Sequence, residues 1–141
     1  MTSSPFVKLN HIGIAVRDLP EMVKLFSILG LFISHTEEVT DQKVMTHFMP
    51  LPNPAPQLEF LEPTQTDSTI AQFIHKRGPG IHHLSFEVQK GKLDKLLLNL
   101  KTNGYRLIYD SPKSGAHDMR INFIHPASCG GILIELMEPI K

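Results

Sequence analysis

From Leu9 to Val16 the chain reads LNHIGIAV, with Ile12, Ile14 and Val16 alternating with His11, Gly13 and Ala15. Strict period two in a β-branched run predicts a strand with two unlike faces. Asp18 then stands as a helix N-cap and Pro20 suits the first turn. Met22, Leu25, Phe26 and Leu29 recur at helical spacing until Gly30 stops the segment. Three more strand-like runs follow, near Leu31–Glu38, Val44–Leu51 and Gln57–Glu62, separated by polar or proline-rich turns. The first half therefore reads β-α-β-β-β.

Asp67 opens a short capped segment, DSTIAQFIHKRG, in which Ile70, Phe73 and Ile74 form an apolar stripe and Gly78 is the stop. The first order then returns. Ile81–Val88 reads as a strand and Lys92–Gly104 as a helix with a glycine cap; strands near Tyr105–Tyr109, Met119–Ile124 and Gly131–Glu138 follow. NHIGIAV lies over HHLSFEV, and LEFLEP over IELMEP. The offset is 72 residues from His11 to His83 and 76 from Glu59 to Glu135, a drift that loop insertions explain. The expected architecture is α+β: one domain over 1–141, with module one at about 7–63, a connecting helix at about 67–78 and module two at about 80–139.

Parity along each strand sorts the side chains. Ile12, Ile14 and Val16 share one face, against His11, Gly13 and Ala15; in the repeat Leu84, Phe86 and Val88 share one face with His82, against His83, Ser85 and Glu87. One face suits packing under helices, and the other, small or polar, suits a cavity wall. In the last strands Glu59 opposes Leu58 and Phe60, and Glu135 opposes Ile134 and Leu136. If both sheets curve toward one cleft, His11, Glu59, His83 and Glu135 converge as two imidazoles and two carboxylates.

Any one of these residues alone is more often structural or solvated than a ligand. Repetition of residue type, position and face in both halves changes that weighing. Acids facing a cleft repel one another, and a divalent cation removes the cost. Four nitrogen and oxygen donors without a thiolate suit Co, Zn, Ni or Mn, and affinity order selects none of them. Glu62 and Glu138 fall on the opposite parity beside proline and are expected to end their strands in solvent. His82 is expected to be structural, His125 with Gly130 and Gly131 to shape a turn, His117 to lie in a loop near the cleft mouth, and His35 and His75 at the surface.

Composition narrows the class. Fourteen basic and fourteen acidic residues cancel, which gives no field directed at nucleic acid or membrane. A single cysteine, Cys129, leaves no internal disulfide framework. No apolar run approaches membrane-spanning length, and MTSSPFVKLN has neither a secretory apolar core nor an arginine-rich transit pattern. A cytoplasmic location is the expectation.

Paired β-α-β-β-β modules with His and Glu at these places resemble the vicinal oxygen chelate (glyoxalase/bleomycin resistance) superfamily. Within it, LNHIGIAVRDL, DSTIAQFIHKRGPGIHHLSFEV and GAHDMRINFIHPASCGGILIEL are similar to the methylmalonyl-CoA epimerase family across nearly the whole chain. The last two stretches carry the specificity. The resemblance implies a half-open barrel around a metal cleft and a homodimer. It also implies one divalent ion per chain held by His11, His83, Glu135 and Glu59, the last being glutamine in some relatives. The implied reaction is epimerisation of methylmalonyl-CoA, an acyl-CoA, through an enolate chelated by the ion.

Inversion requires proton donors and acceptors on both sides of a planar enolate. Glu135 is the first candidate, as a ligand that loosens and takes a proton. For the second, some relatives place a glutamate where this chain has Thr46, and a glycine where it has Lys43. Glu59, His47 or a metal-bound water stays open for that role. Arg120, Asn122 and Lys113 are candidates for substrate carboxylate or CoA phosphates, against the alternative of an ordinary strand and a solvated hairpin. Two other functions compete: a glyoxalase I-like lactoylglutathione lyase or related lyase or isomerase, and a metal-free small-molecule binding protein. A full His and Glu set argues against the latter.

Overall fold

The computed structural model describes residues 6–141, so the readings that touch residues 1–5 lie outside it. The alternation of the first strand appears directly as burial. In β1 (Val7–Ala15) His11, Gly13 and Ala15 are buried while Ile12 and Ile14 are half-buried. The face expected to line a cavity is thus the more enclosed one. The chain divides into two compact units, His11–His82 and His83–Lys141 with the chain up to Asn10.

In the first unit β1 leads to α1 (Leu19–Ile28), then β2 (His35–Val39), β3 (Val44–Met49) and β4 (Gln57–Pro63), and α2 (Thr69–Arg77) closes the unit. The strand order is β2-β3-β4-β1, with β4 parallel to β1 and the other neighbours antiparallel. Asp18 caps α1 as expected, its carboxylate accepting from the Glu21 amide. Leu31–Ser34 are not strand, so β2 is shorter than its apolar run suggested.

Two clusters lie on opposite faces of this sheet. Ile14, Val16, Leu58, Phe60 and Met49 pack with Met22 and Phe26 of α1. Ala15, Val44 and Leu61 pack with Ile70, Ile74 and Phe73 of α2. Because Ala15 and Leu61 share the face of His11 and Glu59, α2 covers one end of that face. Ser68, not Asp67, caps α2, its hydroxyl accepting from the Ala71 amide at 3.0 Å. Asp67 instead pairs with Lys43. Lys43 itself sits at φ 57°, ψ 48°, the left-handed region that favours glycine.

In the second unit β5 (Gly80–Val88) leads to α3 (Leu93–Thr102), β6 (Lys113–Gly115), β7 (Met119–Ile124) and β8 (Leu133–Pro139). The order β5-β8-β7-β6, with β8 parallel to β5, repeats the pattern of the first unit. Val88, Ile124 and Leu136 pack under Leu93 and Leu97 of α3. The strand expected at Tyr105–Tyr109 is absent: Leu107 makes one isolated bridge to Ile124, and the edge strand forms later, at Lys113.

Glu138 departs most from expectation. It is 4% exposed rather than solvated. Lys92, at the start of α3, makes no side-chain cap, and Glu138 supplies it from another strand: its Oε2 accepts from the Gly91 and Leu93 amides, both at 2.9 Å. A carboxylate at a helix N-terminus is favoured by the unpaired amides and the helix dipole, by about 0.3–1 kcal/mol at the surface and more when buried.

Candidate functional site

Each unit brings one histidine and one glutamate together. Parallel register places Glu59 of β4 beside Gly13 of β1, two residues beyond His11. His11 Nδ1 lies 2.9 Å from Glu59 Oε2, and both side chains are nearly buried. In the second unit Glu135 of β8 stands beside Ser85 of β5, two residues beyond His83. His83 Nε2 lies 3.7 Å from Glu135 Oε1. The same topology and step from histidine to glutamate generate both pairs, and neither glutamate has a hydrophobic reason to be inside. His11 with Glu59 in one unit, and His83 with Glu135 in the other, are the nitrogen and oxygen donors that each unit offers a metal ion.

Register also sorts the remaining candidates. Thr46 is buried on the Glu59 face, directly opposite Leu61. His47 pairs with Phe60, on the other face, and is engaged by Thr36 Oγ1 at 2.9 Å and Glu62 Oε1 at 3.2 Å. That placement turns its ring away from Glu59. Glu62 therefore has a partner and is not merely solvated, although its parity is as expected.

Arg120 and Asn122 pair with Glu138 and Leu136, on the face of β8 opposite Glu135. The guanidinium of Arg120 donates to Glu138 Oε1 at 2.9 Å and Asp94 Oδ1 at 2.8 Å. Those carboxylates, Asp94 first, raise its already high pKa. Asn122 is fully buried; its side chain accepts from the Tyr109 amide and donates to the Tyr109 carbonyl, each at 3.1 Å. These contacts hold both residues on the face of β8 opposite Glu135. Even parity with Ile124 would have put them on the helix side.

Lys113 does share the Glu135 face, through the row Lys113, Ile121, Met137. Its ammonium sits 4.6 Å from the centroid of the Tyr109 ring, a cation-π contact. Tyr109, which the sequence offered only as a strand end, packs edge-on against Phe123 at 5.9 Å, and Phe123 lies opposite Glu135 and edge-on to His83. Burial, and secondarily the charge of Glu135, push the Tyr109 phenol above its ordinary pKa. Of the other histidines, His82 packs edge-on to Phe73, His125 accepts from the Ala127 amide to fix a turn, and His75 is exposed. His35 is exposed and stacks on Phe48. No helix among the described residues is long and apolar enough to cross a membrane.

The fold and sequence have counterparts among known proteins. Residues 10–123 match the Glyoxalase/Bleomycin resistance protein/Dioxygenase superfamily model. The human mitochondrial methylmalonyl-CoA epimerase is 35% identical over 133 residues, covering 93% of this chain and 73% of that protein. The crystal structure of methylmalonyl-CoA epimerase from Mycobacterium tuberculosis matches with a TM-score of 0.89 and 38% identity, covering 100% of this chain and 94% of that one. A variant of the Streptomyces coelicolor methylmalonyl-CoA epimerase, in complex with 2-nitronate-propionyl-CoA, matches with a TM-score of 0.84 and 32% identity over 95% and 98% of the two chains. By family model, identity and fold, the chain belongs to the glyoxalase/bleomycin resistance/dioxygenase superfamily.

Proposed function

We propose that this chain is a divalent-metal-dependent epimerase of methylmalonyl-CoA. The observation that carries the reading is the His and Glu pair repeated in each unit at the same strand register. His11, His83 and Glu135 hold the ion, with Glu59 as the fourth donor. The donors are two imidazoles and two carboxylates, which fit Co, Zn, Ni or Mn. When bound, such an ion acts as a Lewis acid toward the negative charge that grows on the substrate oxygens. Relatives named for methylmalonyl-CoA or bound to 2-nitronate-propionyl-CoA support an acyl-CoA substrate; the homodimer is carried over from the family resemblance, and the cytoplasmic location from the sequence.

The chain's own groups move the proton. The carbon to be inverted lies between a thioester and a carboxylate and gives up its proton reluctantly, so a positioned base is needed. Glu135 takes that role. It lies farther from its histidine, 3.7 Å against 2.9 Å for Glu59, and is held less closely by it. Lys113, fixed above Tyr109 on the Glu135 face, supplies positive charge for the substrate carboxylate.

The test is conversion of one epimer of methylmalonyl-CoA into the other by Co- or Zn-loaded protein, followed by chiral analysis, beside a glutathione hemithioacetal control. Conversion of the thioester with an inert control is expected. Turnover of the hemithioacetal alone would favour the lyase reading instead.

A further inference from the structure

Resting on the epimerase reading, we propose that Glu37 is the second proton-transfer group of this chain. Inverting a carbon through a planar enolate needs one group on each side, and a base that returns the proton to the side it came from only exchanges it. Glu135 fills one role. Thr46, a neutral hydroxyl, is a poor base, His47 points to the other face, and Glu59 is engaged by His11 at 2.9 Å.

The register of the first unit leaves one further carboxylate on the right face. Glu37 of β2 stands directly opposite Thr46 of β3, which stands opposite Leu61 of β4, which stands beside Ala15 of β1. Residues paired across strands share a face, so Glu37 belongs to the face of His11 and Glu59. Glu38 and Glu62 both pair with Met45 and so lie on the opposite one. Burial follows the same division: Glu37 is half-buried, while its neighbours Thr36 and Glu38 are exposed. Directly opposed β-carbons are about 5 Å apart, within the span of a glutamate side chain. That span is long enough for a Glu37 carboxylate to extend over the short Thr46 side chain. A carboxylate at this face is supplied from the neighbouring strand instead of from β3 itself.

In one direction the Glu37 carboxylate removes the proton from the substrate carbon, and the C–H electron pair passes into the enolate. The Glu135 carboxylic acid then gives its proton to the opposite side of the same carbon. The turnover leaves Glu37 protonated and Glu135 ionised; exchange of both carboxyl protons with water restores the starting state, and the reverse reaction begins from the exchanged one.

Glu37→Gln keeps the size of this half-buried side chain on an edge strand, and far-UV circular dichroism with metal uptake verifies folding. Both epimers are incubated separately with metal-loaded protein in D2O, and epimer conversion and deuterium uptake are read independently. Conversion is expected to fall by about 10²–10⁴, the usual worth of a general base. Uptake from the epimer served by Glu135 should stay within about tenfold of wild type, and adding Thr46→Glu to Glu37→Gln should recover at least about tenfold of the conversion. Conversion at the wild-type rate by Glu37→Gln, or equal loss of uptake from both epimers, overturns the assignment. A wild-type protein that exchanges neither epimer sinks the epimerase reading, and this role with it.

Discussion

His11 and Glu59, 48 residues apart in sequence, meet at 2.9 Å between Nδ1 and Oε2 because parallel strands β1 and β4 place Glu59 two steps beyond His11. In the proposed metal centre this carboxylate orients the imidazole and offers an oxygen to the ion. Glu59→Gln retains an oxygen donor and should hold the metal within about tenfold of wild type, whereas Glu59→Ala should lose about 10–100-fold or more. Competition with a chromophoric chelator measures both. An alanine variant with wild-type affinity would remove Glu59 from the site.

Glu138 and Glu62 occupy matching positions in the repeat yet do different work. Glu138 is buried and holds the α3 amides and Arg120; Glu62 is partly exposed and touches His47. Glu138→Ala should destabilise the protein by about 2–4 kcal/mol in urea unfolding, since it strands buried amides and a guanidinium. Glu138→Gln, which keeps an acceptor, should cost about 1 kcal/mol, and Glu62→Ala about 1 kcal/mol or less. Equal losses for the two alanine variants would contradict the distinction.

The Tyr109 phenol is shifted upward by burial first and by Glu135 second. Its raised folded-state pKa favours the neutral phenol, so the associated stability is fully present below the unfolded value near 10.0 and is lost as pH rises through the folded one. In metal-free protein carrying ring-labelled tyrosine, Glu135→Gln should move the Tyr109 titration partway down, leaving the part due to burial. Tyr109→Phe identifies the signal. No movement would place Glu135 too far away to act on the phenol.

Parity was legible from the sequence wherever a strand alternated cleanly. His11, Glu59, His83 and Glu135 fall on the faces read from NHIGIAV, HHLSFEV and the two LE strands, because period two survives any packing arrangement. What escaped depends on partners distant in the chain. The burial of Glu138 follows from an uncapped helix 45 residues earlier, which no local pattern reveals. Tyr105–Tyr109 has the apolar content of a strand, but Asn122 takes the Tyr109 amide and carbonyl with its side chain, and the edge of the sheet passes to Lys113. Ser68 and Asp67 are both good caps, and Lys43 decides between them by engaging Asp67.

In the proposed metal centre one His and Glu pair from each unit serves a single ion. Titration of metal-free protein with Co²⁺, followed by the visible absorption of the bound ion, tests it most directly in wild type, His11→Ala and His83→Ala. One equivalent per chain is expected for wild type, with uptake at that affinity lost in each variant alike. Two equivalents in wild type, or one equivalent surviving in either variant at unchanged affinity, would rule out a shared ion.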